Sequence, residues 1–244
     1  MDIYTNIERA QKANKTLIAQ LLDPDHIRNF DHLVDCNSRA EECGVDLFFF
    51  GGSLVTLPHQ WDPVKALKEI SSIPVILFPS SPAHININAD GLLFLSLISG
   101  RNPEFLIGSH VQAAPILRNS SVEILPTGYI LVSCGSTTTA EYMSNSSPIP
   151  YEKPEIAGAT ALAGQMLGMK MIYLDGGSGA EKTISPAMIR TVKSWINIPL
   201  IVGGGIKTLD DAEALSDAGA DVLVVGNGAE KKPEFISDLC QKMK

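Results

Sequence analysis

Two aspartates and three glycine clusters stand where short apolar runs of this sequence end. After Met171–Leu174 comes Asp175-Gly176-Gly177-Ser178-Gly179-Ala180, after Leu200–Val202 comes Gly203-Gly204-Gly205, and after Val222–Val225 comes Gly226-Asn227-Gly228. Glycine lets bare backbone N–H groups approach an anion closely, and a helix N-terminus adds the positive end of its dipole. Three such loops together describe a phosphate pocket, whereas each taken alone reads as a tight strand-to-helix turn. Asp23, in Asp23-Pro24-Asp25, closes the first apolar run, and Ser53, in Gly51-Gly52-Ser53, closes the second. A carboxylate and a hydroxyl on one rim are oxygen ligands suited to Mg²⁺, which bridges to substrate phosphates. The alternatives are that Asp23 forms the turn and that Ser53 caps a helix.

The elements that carry these residues alternate. Apolar runs at Thr16–Leu22, Val45–Phe50, Pro74–Phe78, Leu92–Ile98, Met171–Leu174, Leu200–Val202 and Val222–Val225 read as strands buried on both faces. A fifth strand region comprises Val122–Leu125 and Tyr129–Val132, interrupted by Pro126 and Gly128. Helical patterns occupy residues 30–43 (closed by Gly44), 62–71 (opened by Asp62-Pro63), 103–118, 154–167, 186–195, 209–218 (ended by Gly219) and the stretch from Pro233. This rhythm predicts an α/β fold, a single (β/α)8 TIM barrel over residues 1–244, with functional groups on the loops after the strands. Between strands three and four, Ser80–Ala89 is rich in Pro and Asn and predicts an irregular segment in place of a helix. A doubly wound open sheet is the alternative, but no Gly-x-Gly-x-x-Gly follows the first strand.

Composition narrows the partners. The 244 residues carry a formal charge of −8, which speaks against nucleic acid as the main ligand. Backbone N–H groups or a bound cation still allow an anionic substrate. The four cysteines are scattered with no CxxC pair, as in reduced thiols of a cytoplasmic protein. The first residues contain no apolar signal core, and the longest apolar runs fall far short of a bilayer span. A soluble, cytoplasmic protein is expected.

The runs Leu22-Asp23-Pro24-Asp25, Gly51-Gly52-Ser53, Pro126-Thr127-Gly128-Tyr129-Ile130, Tyr173 to Ala180, Val202-Gly203-Gly204-Gly205-Ile206 and Gly226-Asn227 together resemble geranylgeranylglyceryl phosphate synthases over nearly the whole chain. The resemblance implies an Mg²⁺-dependent prenyltransferase that joins a polyprenyl diphosphate, geranylgeranyl diphosphate foremost, to the 3-hydroxyl of sn-glycerol 1-phosphate. It implies metal and diphosphate at Asp23 and Ser53. Glycerol phosphate is implied at Tyr173, Leu174, Asp175, Gly176, Gly177, Ser178, Gly179, Gly204, Gly205, Gly226 and Asn227, with Tyr173 and Asp175 in the chemistry. It further implies a homo-oligomer and transient contact with a membrane surface. The sequence departs from the family at Asp175-Gly176, where Glu-Ala is usual, and at His26, where lysine is frequent. Leu92 to Ile98, Phe105 and Ser80–Ala89 are the candidates for an apolar groove; Phe48, Phe49, Phe50 and Phe78 are equally core residues.

Two rivals remain open. An aldolase-type barrel needs a lysine at a strand end, and Lys15, Lys170 and Lys207 sit at strand starts or beyond glycine loops. An isomerase needs paired acid and base, for which only Asp23 and Asp175 offer themselves. The other rival is a non-catalytic phosphate-binding barrel.

Overall fold

Runs with no polar face must be covered on both sides, and a closed sheet ringed by helices does this. In a computed structural model describing residues 2–56, 61–226 and 234–243, eight parallel strands close a barrel in sequence order. They are β1 (Leu17–Leu22), β2 (Leu47–Gly51), β3 (Val75–Phe78), β4 (Gly91–Leu97), β5 (Glu123–Leu131), β6 (Met171–Asp175), β7 (Leu200–Gly203) and β8 (Val222–Val225). Closure comes from β8 pairing with β1, Leu17 opposite Val222. Side chains alternate with period two. Ala19, Phe49, Leu93, Tyr129 and Tyr173 fill the interior, while Ile18, Phe48, Leu92, Ile130 and Leu174 pack outward against the helices.

The helices among the described residues are α1 (Ile3–Lys12), α2 (Phe30–Cys43), α3 (Pro63–Ile70), α4 (Ser109–Leu117), α5 (Thr139–Ser144), α6 (Pro154–Met166), α7 (Pro186–Trp195), α8 (Leu209–Asp217) and α9 (Glu234–Met243). Their ends follow from capping chemistry. Asp62 and Ser185 accept from backbone N–H groups three residues on, with Pro at the first helical position, and Thr208 with Asp211 forms a capping box. Gly44 ends α2 in the left-handed region. Between β3 and β4 there is only a 3₁₀ turn, Pro82–His84, so the predicted irregular segment stands in for a helix. Asn86 and Asn88 tie that segment to the Asp62 carboxylate, at 2.8 and 3.0 Å.

Three features differ from the sequence reading. The third predicted helix, over residues 103–118, opens as a π turn, Glu104–Gly108. The expected break in β5 is absent. Val132 N–H donates to Asp175 O, so the even-numbered residues of β5 face β6. Counting back by twos, the missing N–H of Pro126 would point at Met169, before β6 begins, and no ladder bond is lost. Third, the N-terminal residues form α1, unassigned from sequence because its apolar face is narrow. Ile3, Ile7 and Ala10 share that face and seal the barrel end opposite the strand C-termini, with Ile7 fully buried.

Glu123, at the start of β5, holds α1 in place by accepting from Ile3 N (2.6 Å) and Tyr4 N (2.9 Å), two donors left over at the helix N-terminus. Glu123→Ala is expected to cost about 1–2 kcal/mol, lowering Tm by a few degrees and speeding amide exchange along α1. Native exchange rates in α1 would refute the latch.

Candidate active site

At the C-terminal rim, β5 and β6 deliver two polar side chains to one point. Register pairs Tyr129 with Tyr173 and Leu131 with Asp175. The Tyr129 hydroxyl donates to Asp175 Oδ2, and Gly177 N–H donates to Oδ1 at 2.7 Å. Burial raises the Asp175 carboxyl above the ordinary aspartate range, against the opposing pull of these two donors. The Tyr129 hydroxyl is pushed well above the usual tyrosine range by burial and by the neighbouring charge of Asp175, so the proton of the pair stays on the phenol. Below them three rings fill the barrel mouth. Phe78 stacks on Tyr173 (centroids 5.4 Å, 21°), and Tyr129 meets Tyr173 edge-on (5.4 Å, 86°). A carboxylate accepts about four hydrogen bonds, so Asp175 retains capacity for a third donor such as a substrate hydroxyl.

Beside this pair the glycine loops lie backbone against backbone. Gly177, Gly179, Gly204 and Gly205 all have left-handed φ (84°, 78°, 86° and 76°). A Cβ on Gly204 would come within 2.8 Å of Gly176 Cα and the N atoms of Gly176 and Gly177, and one on Gly205 within 2.5 Å of Lys182 O. Only side-chain-free residues permit this approach. Gly176 N donates to Gly203 O at 3.0 Å, joining the two loops. Gly179 differs, since a Cβ there would meet nothing within 4 Å, which leaves the crest of the β6 turn facing open space. Gly226 closes β8 against Leu21; Asn227 lies outside the described residues.

On the other side of the pair runs a cavity of about 340 Å³. It opens where the helix between β3 and β4 is missing, and Phe78, Ile85, Leu92, Phe94, Phe105 and Ala113 are among its mainly apolar walls. Ala140 and Met143 of α5 also line it, as does Tyr129. The predicted groove residues Leu92–Leu95, Leu97 and Phe105 and the stretch 80–85 contribute to the walls, except Ala83; Phe48, Phe49 and Phe50 do not line it.

Asp23 and Ser53 come to the rim beside the cavity. Asp23 Oδ1 accepts from Asp25 N at 3.0 Å, and its carboxylate lies so close to Gly52 that a Cβ there would be 2.9 Å from Oδ2. The carboxylate is therefore seated beside the residue that precedes Ser53 in the chain, and Ser53 lines the cavity. Burial raises the Asp23 carboxyl from its usual range. Asp25 is committed elsewhere, its carboxylate accepting from Thr56 N and Oγ1. No cluster of three His, Cys, Asp or Glu occurs among the described residues. One carboxylate with one hydroxyl is the sparse oxygen set that fits a magnesium ion sharing its coordination with substrate phosphates and water.

Of the predicted site residues, Asp175, Gly176, Gly177, Gly179, Gly204 and Gly205 converge, with Ser178 in the same turn. Tyr173 is an interior residue whose hydroxyl abuts Gly203, and the Leu174 side chain points outward into the helical layer, leaving its backbone alone on the sheet. Sequence reasoning assigned no role to Tyr129 or Thr138, although a buried tyrosine hydroxyl must find a partner. Thr138, the N-cap of α5, packs on Gly177. Among the described residues, the three lysines weighed for the aldolase alternative are all engaged elsewhere. Lys15 pairs with Asp46, Lys170 lies over Tyr4 of α1, and Lys207 donates to main-chain carbonyls. The Cys134 thiol, pushed up to about 12 chiefly by burial, is protonated and no nucleophile.

Residues 11–243 match the model of the PcrB family. A geranylgeranylglyceryl phosphate synthase from Spirosoma linguale is 48% identical over 227 residues, 93% of this chain and 91% of the relative. The crystal structure of (S)-3-O-geranylgeranylglyceryl phosphate synthase from Thermoplasma acidophilum in complex with sn-glycerol-1-phosphate superposes with a TM-score of 0.91 at 30% identity, covering 100% of this chain and 99% of that one. The wild-type enzyme of Thermoplasma volcanium gives the same TM-score at 35% identity, covering 100% and 98%.

The two kinds of glycine separate by substitution. Gly179→Ala adds only the strain of a left-handed alanine, about 1–2 kcal/mol. Gly204→Ala must also push the facing loops away from each other and is expected to cost about 3 kcal/mol or more. Denaturant midpoints measure both, and equal losses would mean that the loops are not in backbone contact.

Proposed function

The chain belongs to the PcrB family, and on that premise we propose that it is a prenyltransferase joining a polyprenyl diphosphate, geranylgeranyl diphosphate foremost, to the 3-hydroxyl of sn-glycerol 1-phosphate. The observation that carries the reading is the position of Tyr129. It lines the apolar cavity and holds the carboxylate whose other oxygen is fixed by the glycine turn. An isoprenoid tail in the cavity and a glycerol phosphate on the turn would therefore meet at Asp175.

In this reading the turn at Gly177 and Gly179 and the facing Gly204-Gly205 cradle the phosphate, with Gly226 at the end of β8. The 3-hydroxyl becomes the third donor to Asp175, which takes its proton as the bond from oxygen to the first prenyl carbon forms and the bond from that carbon to diphosphate breaks. Burial, which raises the carboxyl, makes Asp175 a stronger base than a solvated aspartate. Its side chain is shorter than the usual glutamate, and Gly176 has no side chain of its own; a Cβ there would come to 3.2 Å from Cys134, so glycine lets the turn sit close. The cavity walls sheath the tail and keep out water, which would otherwise compete as the acceptor. Asp23 and Ser53 hold the diphosphate end, where Mg²⁺ when bound neutralises the charge of the leaving group. Assembly of copies belongs to the proposal, with Ile107, Val111 and Ile116 around α4 as an exposed apolar face. So does passing contact with a membrane to exchange apolar ligands, since no helix among the described residues is long and apolar enough to cross one.

Purified protein with Mg²⁺, geranylgeranyl diphosphate and either sn-glycerol 1-phosphate or its 3-phosphate enantiomer is expected to yield a prenyl ether from the 1-phosphate alone, read by mass spectrometry. Asp175→Asn should lower kcat roughly 10²–10⁴-fold. Absence of product across a series of prenyl diphosphates, with glycerol phosphate still bound, would sink the transferase reading. Because only the carboxylate accepts a proton, kcat should fall as pH drops through the raised pKa of Asp175. Tyr129→Phe removes a bond that favours the charged form, so the same acid limb should move to higher pH in the pH–kcat profile. Chelation should abolish turnover, and Asp23→Ala should raise the Mg²⁺ needed for half-maximal rate at least about tenfold; an unchanged requirement would remove Asp23 from the metal site.

A further inference from the structure

Two successive peptide planes leave the β6 glycine turn, those joining Ala180 to Glu181 and Glu181 to Lys182. Both are gripped from opposite sides. Their N–H groups donate to one carbonyl, Cys134 O, at 3.1 and 3.3 Å. Their carbonyls, Ala180 O and Glu181 O, accept from one ammonium, Lys207 Nζ, at 2.9 and 3.0 Å. Lys207 follows the Gly203-Gly204-Gly205 loop closely, and its own backbone N–H is held by Asp211 of the α8 capping box at 3.1 Å. The turn's entry is pinned separately, by Gly176 N to Gly203 O and Gly177 N to Asp175. The cation belonging to this loop is not involved, because Lys182 Nζ lies over the Tyr151 ring, 3.3 Å from its centroid.

We propose that Lys207 is a positioning residue for the acceptor substrate, clamping the exit of the β6 turn so that the backbone at Gly179 is already set for the phosphate before it arrives. Order bought in advance is not charged again on binding, so the effect falls on affinity for glycerol phosphate and leaves the bond-making step at Asp175 alone. A methionine of similar length removes both donations, whereas an arginine guanidinium can still reach two carbonyls. The inference rests on the function proposed above.

The test uses the full chain and calorimetric titration of sn-glycerol 1-phosphate, paired with steady-state kinetics. Lys207→Met is expected to raise Kd and KM for glycerol phosphate about tenfold, with kcat and KM for the prenyl diphosphate within about twofold, and Lys207→Arg to restore most of the loss. Without any ligand, amides of residues 181 and 182 should exchange faster in Lys207→Met, a change that a lysine serving only as a direct phosphate ligand would not produce. Lys207→Gln, whose amide still donates to one carbonyl, keeps the test open where the methionine variant does not fold. Native Kd and native exchange in Lys207→Met would overturn the clamp while leaving the transferase intact. A native protein that binds no glycerol phosphate would overturn both.

Discussion

A carboxylate buried at the mouth of a barrel is costly unless hydrogen bonds replace the water it has lost. Asp175 recovers two such bonds, from the Tyr129 hydroxyl and from Gly177 N–H. The first fastens it to the apolar cavity, the second to the glycine turn, so one small group fixes the spacing between two otherwise separate binding surfaces. Low polarity around it sharpens the consequence, because a donor missing there is not replaced by solvent. Tyr173, Phe78 and the strand register then matter as the means of holding a phenol and a carboxylate within reach of each other.

The rim divides accordingly. Strands β1 to β4 contribute Asp23, Ser53, Phe78 and the cavity walls, and strands β6 to β8 contribute the glycine loops. Tyr129 on β5 stands at the seam. The greasy half exists because the β3–β4 connection never forms a helix. Proline at Pro79 and Pro82 and asparagine at Asn86 and Asn88 steer it into a 3₁₀ turn tied to Asp62, which leaves the flank of β4 open. The polar half exists because side chains are absent from Gly204 and Gly205, which sit too near Gly176, Gly177 and Lys182 to carry any.

Much of this was legible in the sequence, and for identifiable reasons. Continuous apolar runs such as Val222–Val225 can only be doubly buried strands, and caps such as Asp62-Pro63 and Thr208 mark helix starts without tertiary knowledge. The glycine loops and Asp175 were visible because a barrel sends its strand ends to one rim. Tyr129 received no role, because its partner lies 46 residues away and only the β5–β6 register brings them together. Helix α1 was hidden for a similar reason. Its three buried residues are too few to make a pattern, and what holds it is the Glu123 carboxylate, remote in sequence. Leu174 shows a different limit, since strand parity turns its side chain outward and leaves only its backbone on the site's side of the sheet.

Pro126 bears on how β5 finds its place beside β6. A parallel pair can slip by one residue only by turning every side chain to the wrong face, and that slip is forbidden here by the buried interior. A slip by two keeps the faces and is the dangerous error, since it would set Tyr129 opposite Leu131's present partner, Asp175, rather than Tyr173. In that arrangement the proline would face Met171 O with no hydrogen to give, stranding a carbonyl inside the sheet at about 1–3 kcal/mol. The residue that looked like an interruption of β5 thus weighs against that slip, like a blank tooth that fits the ladder only where no partner is needed.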